Sequence, residues 1–293
     1  MRARPWLTTL FAALVLLTAG CSNLKLVYNQ APELAYWWID AYADFGGEQK
    51  PQARESLKAF FRWNRSTQLA DYSAMLSRME SAAGASVTAA QVCKWREEAL
   101  AKTDAATEQA LPAVVKLLRS FTPQQIEHVA ERQEKKNRDW IKDHMQDKPE
   151  DRIKASMKRS REWTDLLYGN LNDAQRDLLA RGIAQSPYDP RLALAERRAR
   201  QQELLQTIRK VSAGNLSGED AAAALRSLVR HIRESPDPAY HAYHQRLLVH
   251  QCALAAQLHN STSTAQRLAA VKRLKGWQDD LRDLHSASVA ATP

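Results

Sequence analysis

Apolar residues recur along this chain at three- and four-residue spacing. They nowhere alternate over a run long enough for a half-buried strand. Residues 51–82 carry the pattern most fully, with Leu57, Phe60, Phe61, Leu69, Tyr72, Met75, Leu76 and Met79 in one register. Pro51 is expected at the first helical position, where its missing N–H costs nothing, and Gly84 at the end. Further helix starts are written as capping boxes, in which Ser or Thr and a Gln three residues on each take up an orphan N–H. These are Thr88–Gln91, Thr122–Gln125 and Ser263–Gln266, with weaker versions at Asn172–Gln175 and Ser217–Asp220. Asp189-Pro190 and Asp237-Pro238, in the strings SPYDP and SPDP, add Asp caps with Pro behind them, and Pro149 opens another helix. Pro112 is expected to kink or divide the helix it falls in. The prediction is an all-α, irregular multi-helix bundle of about ten helices, with short breaks and no solenoid period.

The first helix of that bundle is expected over residues 32–45. Its wheel sets Leu34, Trp37, Trp38, Ala41, Tyr42 and Phe45 on one face and Glu33, Tyr36, Asp40 and Asp44 on the other. The aromatic face, with Trp37, Trp38, Tyr42 and Phe45, is expected to pack into the bundle core. The acidic opposite face speaks against a helix lying on an anionic bilayer, since interfacial helices usually carry Lys or Arg there.

What precedes this helix sets the compartment. Arg2 and Arg4 followed by an apolar run from Leu7 to Leu17 form a signal peptide, too short to span a hydrocarbon core of roughly 30 Å. It ends in Leu17-Thr18-Ala19-Gly20-Cys21. These residues resemble the lipobox of bacterial lipoproteins, with Thr18 where that family prefers Leu. The resemblance implies cleavage after Gly20 and acylation of Cys21, and two or more acyl chains anchor a protein stably. Ser22, where Asp would favour inner-membrane retention, implies the periplasmic face of the outer membrane. The organisation read this way is a signal peptide over 1–20, a lipidated tether over 21–30, an all-helical periplasmic domain over 31–285 with a possible seam near 212–218, and a disordered tail over 286–293.

Composition then limits partners. The formal charge of +9 falls to +7 once Arg2 and Arg4 are removed, and the isoelectric point is about 9.5. An exported basic protein meets no nucleic acid. The acidic groups within reach are lipid headgroups, peptidoglycan carboxylates and other envelope proteins. Two cysteines remain after Cys21. Cys93 and Cys252 are expected to pair in an oxidising compartment, the alternative being two buried thiols.

Four constellations are candidates for chemistry. Glu33, Asp40 and Asp44 stack three carboxylates on one helix face, as a Ca²⁺ or acid–base site or as plain ion pairs. His241, His244 and His250 lie beside Cys252 with partial metal-ligand spacing. The apolar seams after Thr122 and Asp189 also carry Gln133, Asn137, His144, Arg197 and Gln201, which either line a groove or bond across helices. The runs at 131–138 and 196–200, with Lys158, Arg159 and Arg161, are basic or mixed, and suit solvent or an anionic partner. No G-x-S-x-G, P-loop, G-x-G-x-x-G or zinc-protease signature occurs, so no catalytic residue, metal site or cofactor is assigned.

Two resemblances follow from particular strings. Tyr28-Asn29, Leu34 to Trp37, Asp40, Tyr42 and Asp44, with Leu167-Tyr168-Gly169, Asp173-Ala174-Gln175 and SPYDP, are similar to an uncharacterised family of proteobacterial outer-membrane lipoproteins. That resemblance implies a helical lipoprotein and no activity. Phe121-Thr122 with Gln125, and Leu171-Asn172 with Gln175, resemble the LTxxQ boxes of Spy-type periplasmic stress chaperones, which bind unfolded clients. The functional expectation is a non-enzymatic, outer-membrane-anchored lipoprotein that binds or scaffolds envelope components, chaperone-like in its most concrete form. The alternative is a peptidoglycan-binding protein or a glycan-cleaving enzyme using Glu33 or another helix-borne carboxylate in an apolar pocket.

Overall fold

The computed structural model describes residues 23–290, and the signal peptide, Gly20 and Cys21 lie outside them. Among the described residues there are eleven helices and no strand. They are α1 (Asn23–Ala43), α2 (Gln49–Thr67), α3 (Leu69–Ala83), α4 (Ala89–Leu118), α5 (Pro123–His144), α6 (Pro149–Tyr168), α7 (Asp173–Ala184), α8 (Pro190–Ser212), α9 (Gly218–Arg233), α10 (Pro238–Asn260) and α11 (Thr264–Ala290).

The caps read from the sequence are the caps of the structure. Thr88, Thr122 and Asn172 accept from the N3 amides of Gln91, Gln125 and Gln175, and each glutamine closes its box. Ser263 and Gln266 bond reciprocally at the start of α11. The SPYDP and SPDP strings fold alike. In each, the serine hydroxyl accepts from the residue two on, and the Asp carboxylate caps the first turn behind a proline (Asp189 to Arg191 N at 2.7 Å, Asp237 to Ala239 N at 2.8 Å).

Four apolar clusters hold the bundle. One joins α4, α5, α8 and α9 through Leu111, Val115, Ile126, Val129, Ile208, Val211 and Leu225. Leu216, between α8 and α9, packs on it, so the core continues across residues 212–218. A second joins α1 to α2 through Tyr36, Ala43, Phe45 and Ala53. A third sets Leu69 of α3 against Leu281 and Leu284 of α11, and a fourth sets Leu171 and Leu179 against Leu258 of α10. At Gly182, α7 and α10 approach so closely that a Cβ there would lie 2.2 Å from Leu254 Cδ1.

Besides Pro51, which is the third residue of α2 and not its first, three sequence expectations change. Residues 23–30 are helical, so the tether expected over 21–30 is the first part of α1, with Pro32 inside the helix. The turns before Pro32 are held by tertiary contacts: Leu24 and Tyr28 pack on the α3–α11 cluster, and Tyr28 Oη donates to the buried Asn64 at 2.7 Å. The expected single helix over 51–82 is two helices meeting at Gln68, which redirects α3 so that Leu69 is 1% exposed against α11. The expected tail from 286 is helical to Ala290, with His285 Nδ1 bonded to the Arg65 carbonyl at 3.0 Å.

Candidate functional site

Cys93 of α4 and Cys252 of α10 form a disulfide, with Cα atoms 5.5 Å apart. Cys252 is therefore no metal ligand, and the histidines around it go separate ways. His241 Nε2 contacts Gln245, His244 stacks on Tyr240, and His250 Nε2–H donates to the Gly182 carbonyl at 2.8 Å. Burial, helped by Arg96 and Arg200, holds His244 below the ordinary imidazole range. Among the described residues no three His, Cys, Asp or Glu side chains are grouped to hold a metal ion.

The carboxylate stripe of α1 is likewise used structurally. Glu33 pairs with Arg54. Asp40 accepts from Phe45 N at 2.8 Å and from Tyr36 Oη at 3.3 Å, tying down the helix end. Asp44 takes the turn at φ 47°, and its carbonyl accepts from Gln125.

The aromatic residues of this helix correct the sequence reading. Phe45 is buried, stacks on Tyr36 and meets Phe121 edge to face, its burial as expected. Trp37 and Trp38, however, are 61% and 68% exposed, and Tyr42 is half-buried. Tyr36, Ile39 and Ala43 face the core instead. The wheel weighed aromatic mass against formal charge. The structure neutralises that charge locally, with the Arg54 guanidinium 3.7 Å above the Tyr36 ring while it pairs with Glu33.

Of the polar seam residues, Asn137, Arg197 and Gln201 pair across helices, while His144 bonds within its own helix. Asn137 of α5 is 3% exposed; it donates to Gln201 Oε1 at 2.7 Å and accepts from Arg197 Nε at 2.7 Å and Gln201 Nε2 at 3.0 Å. The box glutamines do the same. Gln125 Nε2 reaches the carbonyls of Ala43 and Asp44 and exchanges amide hydrogen bonds with Gln49. Gln175, 1% exposed, donates to the Ser261 carbonyl and exchanges amide bonds with Gln266. These two boxes thus cap their own helices and clamp a second one. A buried clamp of this kind offers no surface to a client, whatever the resemblance to LTxxQ boxes.

Charge, aromatic surface and open volume meet in a cleft between helix ends. A cleft of about 570 Å³ lies where α6 and the end of α5 meet the end of α7, the SPYDP turn and α10. Arg152, Arg159, His144, His250 and Tyr188 line it beside Ile153, Leu254 and the rim residue Trp163, which is 74% exposed. Its lining contains no carboxylate. Arg152 Nη1 donates to the carbonyls of Gln146 (2.7 Å) and Asp147 (3.0 Å); Arg159 donates to the Asp143 carbonyl (2.7 Å) and Ser156 Oγ (2.9 Å). The carbonyl end of α5 thus orients Arg159 and the turn after it orients Arg152, and among the described residues neither is ion-paired. His144 stacks on Trp140 and donates Nδ1–H to its carbonyl, and burial lowers its pKa. Burial pushes the Tyr188 phenol up to about 12. Of the basic residues singled out from the sequence, Arg159 lines the cleft while Lys158 and Arg161 are exposed.

The described carboxylate that burial shifts upward lies elsewhere. Asp280 of α11 is 6% exposed; burial raises its pKa against the opposing pull of Lys25, 3.7 Å away. An acid whose folded pKa is raised favours the folded state at low pH, and that contribution is lost as pH rises through the folded value. Asp280→Asn is expected to raise the thermal midpoint at pH 7, with the gain shrinking as pH falls toward 4. Melts of both proteins across that range check it, and a lower midpoint at pH 7 would show that the Lys25 pair outweighs the burial.

Neither a curated protein nor a solved structure matches this chain. The sequence model of a family of unknown function (DUF6279) matches residues 41–219, from the end of α1 to the first turn of α9. The match takes in α5, α6, α7 and the SPYDP turn, so all the cleft except its α10 wall lies within the matched residues. With more than half of its length covered, the chain belongs to the DUF6279 family.

Proposed function

We propose that the protein is a non-enzymatic lipoprotein of the outer membrane, held on the periplasmic face through Cys21, that binds an acidic envelope polypeptide in the cleft between α5, α6, α7 and α10. The observation that carries this reading is the pair of oriented, unpaired guanidinium groups of Arg152 and Arg159 in a lining without carboxylates. A carboxylate arriving there gains charge-assisted hydrogen bonds, while Ile153 and Leu254 take apolar side chains beside it. The binding is chaperone-like if it protects such segments from aggregation. The absence of a carboxylate in the cleft favours binding over glycan cleavage, which needs an acid and a base flanking the bond.

The exposed Trp163 supports a second reading, peptidoglycan binding, because an open indole is a platform for a sugar ring. One titration separates the two. Acidic, amphipathic peptides are added to the mature protein in detergent, in parallel with purified sacculi. The double substitution Arg152→Ala/Arg159→Ala is expected to weaken peptide binding about ten- to hundredfold, the loss of one or two charge-assisted bonds. Retention on sacculi lost through Trp163→Ala, with no peptide binding, would move the assignment to the wall. No binding to either would remove the cleft as a site.

A further inference from the structure

The face of α1 that misses the core is continuous. Leu26, Val27, Leu34, Trp37 and Trp38 are 66%, 53%, 54%, 61% and 68% exposed. On a 100° wheel they fall with Gln30 and Ala41 into one arc that contains no charged residue. From Leu26 to Ala41 the strip runs for about 22 Å at 1.5 Å per residue. So long an apolar strip is unusual on a surface that meets only water. Two indoles in it match the chemistry of the bilayer interface, where Trp is favoured.

A basic ridge borders the strip. Arg54, Lys58, Arg62 and Arg65 recur at four, four and three residues along α2. Two of them reach across to α1. Arg54 pairs with Glu33 and lies 5.5 Å from the Trp37 ring centroid, and Arg65 donates to Asn29 Oδ1 at 2.7 Å. Of the acidic residues that spoke against membrane contact, Glu33 is thus paired with this ridge and Asp40 accepts from Phe45 N and Tyr36 Oη, while Asp44 lies past the strip in the turn. Lys58 pairs with Glu55, and Arg62 and Arg65, which have no ion pair among the described residues, leave the charge beside the strip positive.

We propose that this face of α1, with the basic ridge of α2 at its edge, lies along the headgroup–acyl boundary of an anionic phospholipid bilayer. The end of the helix carries the argument. α1 begins at Asn23, two residues after Cys21, so no tether separates the attachment point from the folded body. Acyl chains at that end and indoles about 22 Å along the same helix enter one bilayer together only when α1 lies parallel to its plane. No described helix is long and apolar enough to cross a membrane, so the face rests on the bilayer. The direction of the anchored end rests on the reading of Cys21 as lipidated, while the face is a property of α1 itself.

The test uses the full mature protein reconstituted into vesicles of dibrominated phosphatidylcholine with phosphatidylglycerol, which quench indoles that enter the acyl boundary. Wild-type emission is expected to be quenched. Trp37→Phe/Trp38→Phe is expected to lose the quenched component while keeping its thermal midpoint, since both side chains are exposed. Equal quenching in the two proteins, or none in the wild type, would overturn the proposal. An unquenched wild type that elutes as a dimer, and as a monomer once both residues are Asp, would assign the face to a second copy and overturn it equally. The mass of the N-terminal peptide reports the anchor separately. An unmodified Cys21 with quenching intact supports the face and removes only the anchor.

Discussion

Replacing Cys93 and Cys252 together by serine is expected to lower the unfolding free energy by about 5 kcal/mol, the loop-closure entropy of a 159-residue loop. The bridge joins α4, in the first half of the chain, to α10, near its end, so it removes a large set of extended conformations from the unfolded state. It also sits next to Gln251 and two residues from Leu254, both in the cleft wall. The reduced protein is therefore expected to bind acidic peptides at the proposed site more weakly as well as to unfold earlier. Urea titrations of the double variant against the oxidised wild type check the magnitude. A difference under about 1 kcal/mol would mean that the reduced chain is already confined by residual structure.

Gln175→Leu is expected to cost about 3 kcal/mol, although leucine fills nearly the same space. The side chain makes four bonds: it accepts from Asn172 N and Gln266 Nε2, and donates to Gln266 Oε1 and the Ser261 carbonyl. At about 1 kcal/mol each the bonds are modest, but the truncation leaves their partners unsatisfied in a buried place. Gln91→Leu supplies the comparison, because that box lies at the surface and clamps no second helix. If the two substitutions cost the same, Gln175 is a cap and nothing more. A larger loss at Gln175 identifies the capping box as an inter-helix clamp.

These two features show what kind of information the sequence carries openly. A capping box is local: a hydroxyl or amide and a glutamine three residues apart act on the same turn, so Thr88, Thr122, Asn172 and Ser263 could be read directly. The cysteine pair was legible from parity and an export signal. Neither reading foresaw that Gln125 and Gln175 would also reach another helix, because that depends on which helix ends meet. The face of α1 was misread for a related reason. Tyr36 looked solvated beside Glu33 and Asp40, yet Arg54, on another helix, neutralises the edge and covers the ring. The break at Gln68 has no Gly or Pro to announce it and exists because α3 docks on α11. The cleft was least legible, since it assembles from the ends of separate helices. Arg159, His144, His250 and the SPYDP string each stood out, but nothing in the sequence joined them.

The fold, the free face of α1 and the open cleft combine into one picture. The proposed picture is a helical body lying flat on the outer membrane, attached through its first helix and offering a cationic groove to the periplasm. The anchor and the compartment depend on which atom carries the lipid, while the free face of α1 stands without it. The most direct measurement is the mass of the N-terminal peptide of the protein purified from cell envelopes. The account predicts a chain that begins at Cys21 and carries a diacylglyceryl group on its sulfur, with a further acyl chain on the amine. A chain that begins at another residue, or at an unmodified Cys21, would contradict it.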